Sequence, residues 1–261
     1  MDIALTGKAA VVCGSTQGIG LAAAKAIAQL GADCILMARN EASLKAAVAG
    51  LANTGNQAHS YIVADFSSPQ QVQAAIELVC SKRTVEILVN NTGGPKAGPI
   101  LSADPESFTN AFSEHLICNQ LLARTVVPGM KKAGYGRIIN IISTSVKTPL
   151  PDLGVSNTIR LAVAAWAKTL SNEVGQYGIT VNNVLPGLTE TGRLDALIGL
   201  TAGKKQVPVS DVRDAMIASI PMKRFGKPEE IANLIAFLSS PAASYINGTS
   251  IPVDGGRTPA F

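Results

Sequence analysis

Several things are scarce in this sequence, and each scarcity removes a class of function. Aromatic residues are 4% of its 261 residues, too few to build the stacking platforms on which single-stranded nucleic acids lie. The net charge is only +4, and lysine and arginine are scattered apart from short pairs such as "KK" at 131–132 and 204–205. With no basic stripe, a nucleic acid is not an expected partner. No apolar run reaches the roughly 18 residues of a membrane span. The opening "MDIALTGKAAVVCG" lacks the charged n-region, apolar h-region and small-residue cleavage site of an export signal. A cytoplasmic chain with no membrane partner is expected. Histidine occurs twice, and Cys13, Cys34, Cys80 and Cys118 stand singly in apolar segments, neither as CxxC nor beside a histidine. They read as reduced packing residues, and no metal site is expected.

What is present is a chain 47% apolar and 15% charged, the balance of one folded domain over 1–261 with a substantial core. Strand-like and helix-like runs alternate. "KAAVVCG" (8–14), "DCILMAR" (33–39), "HSYIVADF" (59–66), "EILVNN" (86–91), "GRIINIIS" (136–143) and "ITVNNVLPG" (179–187) read as strands. "IGLAAAKAIAQLG" (19–31) and "EASLKAAVAGLAN" (41–53) are the first helices, and "SIPVDGG" (250–256) is a last edge strand. This alternation predicts an α/β fold: a Rossmann-like, doubly wound parallel sheet in three α/β/α layers. The stretch 187–210, "GLTETGRLDALIGLTAGKKQVPVS", mixes glycine with polar residues and is the least regular part. Because it follows a strand end, where such sheets bind ligands, it is expected to be a substrate lid.

"CGSTQGIG" (13–20) joins the first strand to the first helix, with Gly14, Gly18 and Gly20 separated by Ser15, Thr16, Gln17 and Ile19. Glycines there let the backbone approach a pyrophosphate, and the helix start supplies free N–H donors and a positive dipole end. The second strand ends in Arg39, near where an NAD site would place a carboxylate for the ribose 2′-hydroxyl. An arginine suits a 2′-phosphate instead, so NADP(H) is favoured over NAD(H), the alternative being a solvated arginine that starts a helix. Asp65, followed by Phe66, ends the third strand, placed either to accept from the adenine amino group or to cap the next helix. "NNTGG" (90–94) puts Asn91 and Gly93 at the fourth strand end, where small residues allow close passage of a cofactor.

Taken in order, "CGSTQGIG", "LVNNTGG", "GRIINIIS", "VNNVLPG" and the tail "FGKPEEIANLIAFLSSPAASYINGTSIPVDGG" (225–256) resemble the classical short-chain dehydrogenase/reductase family. The similarity is greatest to its 3-oxoacyl-carrier-protein reductase-like members, and it covers essentially the whole chain. One departure is Cys13, which replaces the threonine that usually opens the glycine motif. The resemblance implies that Pro186 and Gly187, with the backbone of Leu188 and Thr189, meet the nicotinamide end of the cofactor. It also implies homotetramers or homodimers, joined through helices around 103–130 and 157–176 and the C-terminal strand.

Family members usually work with a Ser, a Tyr, a Lys four residues after the Tyr, and an Asn on an earlier helix. The tyrosine gives a proton to the carbonyl oxygen as hydride arrives, and the lysine lowers its pKa from about 10. Ser143 stands at the serine address, either to hydrogen-bond a substrate carbonyl or merely to cap backbone groups. Ser156 stands where Tyr is usual and Arg160 where Lys is usual. The following "LAVAAWAKTLSNEVGQYGITVNNVLPG" matches without a gap, so the register holds, and no tyrosine lies between Tyr135 and Tyr177. Leu153 occupies the place seven residues before Arg160 that an enoyl-reductase variant would need for its Tyr. His115 falls at the Asn address, either as part of a proton relay or as a buried histidine bonded to a neighbouring turn. Arg160 keeps a cation for the cofactor ribose but cannot cycle its proton near neutral pH.

The expected function is an NADP(H)-dependent oxidoreductase acting on a small-molecule carbonyl or alcohol, with Ser143 polarising the oxygen and His115 or Ser156 supplying the proton. The competing expectation is a catalytically silent relative that binds the dinucleotide as a sensor or assembly partner.

Overall fold

In a computed structural model, which describes residues 1–53 and 55–260, seven strands form one sheet. They are β1 (Ala9–Cys13), β2 (Asp33–Ala38), β3 (Ser60–Val63), β4 (Ile87–Asn90), β5 (Gly136–Ile141), β6 (Ile179–Pro186) and β7 (Ser250–Val253). Their spatial order is β3-β2-β1-β4-β5-β6-β7 and every pairing is parallel. The helices are α1 (Gly18–Gln29), α2 (Glu41–Ala49), α3 (Pro69–Cys80), α4 (Pro105–Phe112), α5 (Cys118–Ala133), α6 (Gly154–Val174), α7 (Gly192–Lys205), α8 (Val209–Ala218) and α9 (Pro228–Leu238).

Parallel strands covered on both faces need apolar side chains in both directions, which is why they read as unbroken apolar runs. β1 shows the division. Ala10 and Val12 pack with Ile27 of α1, Leu44 of α2 and Ile231 and Ile235 of α9. Ala9, Val11 and Cys13 face the other way, against Val72 and Ile76 of α3, Leu122 and Val126 of α5 and Ala167 of α6. The result is the three-layer α/β/α fold that the alternation predicts. The four cysteines are free thiols, three of them buried. No helix among the described residues is long and apolar enough to cross a membrane.

The strand order reverses between β1 and β4, so a crevice opens beyond their carboxyl ends. A row of amides fixes the strand ends beside it. Asn90 donates to Asn140 (2.8 Å), Asn140 to Asn183 (2.9 Å) and Asn183 to Ser250 Oγ (3.0 Å), and these residues are partners in the β4–β5, β5–β6 and β6–β7 registers. A one-residue slip would break all three bonds inside a dry core, where an unpaired amide is costly.

The expectation of an irregular lid over 187–210 is corrected: most of it is helical, as α7 and the start of α8. Leu194, Ile198 and Ala202 recur every four residues on α7 and pack with Val212, Ile220 and Phe225 in a small core of their own. That apolar stripe outweighs the helix cost of Gly199 and Gly203, which lie on the exposed side.

Candidate active site

Two neighbouring clefts open at the carboxyl ends of the strands, one of about 630 Å³ and one of about 230 Å³. The larger is built around the turn between β1 and α1. Gly14 and Gly18 hold φ of +56° and +55°, in the left-handed region where a side chain is strained. A Cβ on Gly20 would stand 2.2 Å from Gly14 O, so α1 can sit against the end of β1 only with glycine there. Asn91 Nδ2, from the end of β4, donates to Cys13 O (3.3 Å) and Gly14 O (3.1 Å) and so ties the turn to the middle of the sheet.

Gly14, Thr16, Gln17, Gly18 and Ile19 line the larger cleft together with Arg39, Asp65, Phe66, Asn91 and Gly93. Ser15 is fully buried beneath them and its Oγ has no partner. This turn suits a pyrophosphate: small residues leave room for it, an orphaned hydroxyl lies below, and the first N–H groups of α1 are open. Asp65 accepts from Ser67 N (3.0 Å) in a turn just before α3, whose N-cap is Ser68. That bond, with the Arg39 charge adding, holds the Asp65 carboxyl below its usual range. Lys25, which sequence reasoning passed over, also lines this cleft. It stands seven residues after Gly18 on α1, two turns along the same face, which was the signal available for it.

The smaller cleft is lined by Pro186, Gly187, Leu188 and Thr189 at and just after the end of β6, and by Ser143, Ser156 and Arg160. The two clefts share Ile19, Asn91, Thr92, Gly93, Thr191 and Arg193, so a ligand can pass from one to the other. Ser143 Oγ accepts from Ser145 N (3.1 Å), capping the short 3₁₀ turn Thr144–Val146. That leaves its own proton free for a ligand. Ser156 and Arg160 lie one helical turn apart near the start of α6 and are only 6% and 8% exposed. Arg160 NH1 donates to Ile141 O (2.9 Å) at the end of β5. Burial, with Arg193 adding to it, lowers the guanidinium pKa to about 10.

His115 lies on a π-helical stretch, Ser113–Ile117, between α4 and α5, a device often found at functional sites. It lines neither cleft and is 1% exposed. Its Nδ1 shares a hydrogen bond with Thr92 Oγ1, and Thr92 does line both clefts. Burial first, then the charges of Arg160 and Arg193, pushes its pKa down to about 2. Burial and the two arginines thus disfavour a charged imidazole, and the Nδ1 bond to Thr92 fits the alternative of a buried histidine bonded to a neighbouring turn. Its address was legible in the sequence, as was Arg160; its burial and the nearness of Arg193 were not.

The sign of the resulting stability effect follows. Below about pH 6.5 the unfolded chain protonates this histidine while the folded chain does not, down to about pH 2. Stability is therefore lost as pH falls through this window, by up to about 1.4 kcal/mol per pH unit from this one proton. Chemical denaturation at pH 5.0, 5.5 and 6.0 is expected to show that slope reduced by about one proton in His115→Asn. Equal slopes in the two proteins would remove the assignment.

The family described as "Enoyl-(Acyl carrier protein) reductase" matches this chain over residues 14–258. The 3-oxoacyl-[acyl-carrier-protein] reductase of Vibrio cholerae is 32% identical over 255 residues, 97% of this chain and 98% of that protein. The chain belongs to the short-chain dehydrogenase/reductase family. Dehydrogenase/reductase SDR family member 4 of Bos taurus is also 32% identical, over 97% of this chain and 88% of its own. The crystal structure of L-sorbose reductase from Gluconobacter frateurii, complexed with NADPH and L-sorbose, superposes with a TM-score of 0.93 at 33% identity, covering 100% of both chains. As a member of the family the protein is an NAD(P)-dependent oxidoreductase of the short-chain type.

Proposed function

We propose that the protein is an NADP(H)-dependent oxidoreductase that interconverts a small-molecule carbonyl and its alcohol at an altered catalytic site. The observation that carries this reading is the smaller cleft, where Ser143, Ser156 and Arg160 meet the Pro186–Thr189 loop and open into the glycine-lined cleft. NADPH-complexed structures among the similar proteins support the choice of cofactor.

Gly14 to Gly20 would hold the pyrophosphate, and Arg39 with Lys25 the 2′-phosphate. Asp65 and Phe66 would flank the adenine, and Pro186, Gly187, Leu188 and Thr189 the nicotinamide end. When bound, the nicotinamide would supply hydride for the carbonyl carbon or accept it from the alcohol. The chain's own residues manage the oxygen. Ser143, its lone pair already engaged by Ser145 N–H, directs its proton at the carbonyl oxygen. Arg160, a buried cation, stabilises the negative charge that develops there, an effect worth more than in water. Ser156 passes a proton from solvent, since its hydroxyl is a much weaker acid than a phenol. His115, held neutral, positions Thr92. Without a phenol the step runs about 10² to 10⁴-fold below what a positioned general acid allows.

We further read the protein as a homodimer or homotetramer through the outer face of α6, where Leu161 is 54% exposed.

A nicotinamide fluorescence titration followed by a turnover screen over ketones, aldehydes and oxoacyl thioesters tests the reading. NADPH is expected to bind more tightly than NADH. Arg39→Ala is expected to weaken NADPH by about 10- to 100-fold while sparing NADH, the scale of one or more charge-assisted bonds. Binding with no turnover across the panel would overturn the enzymatic reading. No binding at all would overturn the cofactor with it.

A further inference from the structure

Among the described residues the smaller cleft is lined by arginine and by no acid. Arg160 enters from α6, Arg193 from α7 and Arg257 from the tail after β7, and all three line it; no Asp, Glu or Lys does. Among the described residues none of the three makes a salt bridge. Of the acids nearest in sequence to Arg193 and Arg257, two are already engaged and the third, Glu190, is absent from the lining of this cleft. Asp254 accepts from Gly256 N (3.0 Å) and Thr258 N (2.7 Å), Asp195 pairs with Arg213 at 3.1 Å, and Glu190 lines the other cleft.

The donors are mostly unspent. A guanidinium carries five N–H donors. Arg160 gives one bond to Ile141 O, and Arg257 gives one to Ser219 Oγ (3.2 Å). Arg193 gives two, to Gly94 O (2.9 Å) and Pro95 O (3.4 Å). Arg193 and Arg160 lie close enough that Arg193 disfavours the charge on Arg160. Like charges gathered along one cleft, with no acid among its described lining residues, raise the energy of the empty site, and an anion relieves that. The cofactor's phosphates do not meet this need, because the glycine turn, Lys25 and Arg39 are placed for them in the larger cleft.

We infer that the substrate is a carboxylate-bearing carbonyl compound or alcohol, an oxo acid or hydroxy acid, whose carboxylate is held by Arg193 and Arg257 while its carbonyl faces Ser143, Ser156 and Arg160. The inference deepens the proposed function and rests on it for the carbonyl chemistry. The planar guanidinium fork matches a carboxylate through two parallel bonds. Arg160 lines the same cleft, so its charge adds to the attraction for the anion.

The test separates charge from shape. Oxamate and oxamide have nearly the same form, neither is reduced at its amide, and only oxamate is an anion. Calorimetric titration of each into the NADPH-saturated protein is expected to show oxamate at least about tenfold tighter. Arg257→Gln is expected to weaken oxamate by about 10- to 100-fold and leave oxamide unchanged, and Arg257→Lys to recover part of the loss. Inorganic phosphate is the competing anion. Phosphate binding without oxamate binding would overturn the carboxylate, and equal affinity for oxamate and oxamide would overturn the anion altogether. Turnover of a 2-oxo acid beside its methyl ester isolates the other premise. Ester and acid reduced equally, with no oxamate selectivity, would sink this inference and leave the oxidoreductase standing. Selective oxamate binding with no turnover of either would do the reverse.

Discussion

Ser156→Tyr combined with Arg160→Lys is expected to raise turnover of a carbonyl substrate by about 10² to 10⁴-fold, the range a positioned general acid contributes. Both positions lie on the first turns of α6, four residues apart and hence on one face. Both line the same cleft of about 230 Å³, so a phenol at 156 projects where the hydroxyl of Ser156 is now, beside Ser143. Lysine at 160 keeps the positive charge that lowers the phenol pKa from about 10. It also gives up the NH1 bond to Ile141 O, freeing the ammonium to follow the ring. Ser156→Tyr alone is expected to give part of the gain, because Arg160 is itself a cation. Arg160→Lys alone is expected to give none, since no acid accompanies it. Steady-state NADPH oxidation measures the rates, and the double variant is expected to acquire an alkaline limb in its pH profile from the new phenol. If the double variant folds, binds NADPH and is no faster, proton delivery does not limit the reaction.

Much of this molecule was legible in the sequence for a simple physical reason. Strands covered on both faces cannot alternate polar with apolar, so each is an apolar run bounded by turn residues, and seven such runs predicted the seven strands. The ends were less legible: "HSYIVADF" (59–66) contains a strand of only Ser60–Val63, because β3 has a neighbour on one side only. The helical order of 187–210 was missed because its glycines were given more weight than the Leu194, Ile198, Ala202 stripe that packs α7 against α8. Within the site, Ser143, Ser156 and Arg160 could be placed by counting along the chain, and they line one cleft. The state of His115 could not be placed that way. Its neutrality depends first on burial and then on Arg160 and Arg193, which stand 45 and more residues away along the chain. Arg193 and Arg257 were missed for the same reason: only the fold brings α7 and the C-terminal tail to one cavity.

The second large effect lies at the other end of the site. Gly20→Ala is expected to lower NADPH affinity by about 10²-fold and to destabilise the protein by about 1–3 kcal/mol, the usual cost of overpacking. The added methyl would stand 2.2 Å from Gly14 O and 2.7 Å from Asn91 Nδ2. The first is backbone held at the end of β1, and the second is fixed by its bonds to Cys13 O and Gly14 O. Neither can give way like the tip of a flexible side chain, so α1 must move. Moving it takes the N–H groups at its start away from a pyrophosphate, and two charge-assisted bonds lost at about 1.5 kcal/mol each account for the 10²-fold. Helix propensity works in the opposite direction, since alanine is favoured over glycine inside a helix by about 1 kcal/mol. Gly199→Ala on α7 supplies the comparison: nothing lies within 4 Å of its added Cβ. There only the propensity acts, and the variant is expected to be as stable as the natural chain or slightly more so, with its NADPH titration unchanged. Thermal denaturation and NADPH titration of the two variants side by side separate contact from propensity. A Gly20→Ala protein that binds NADPH as the natural chain does would mean that the turn after β1 does not position the cofactor.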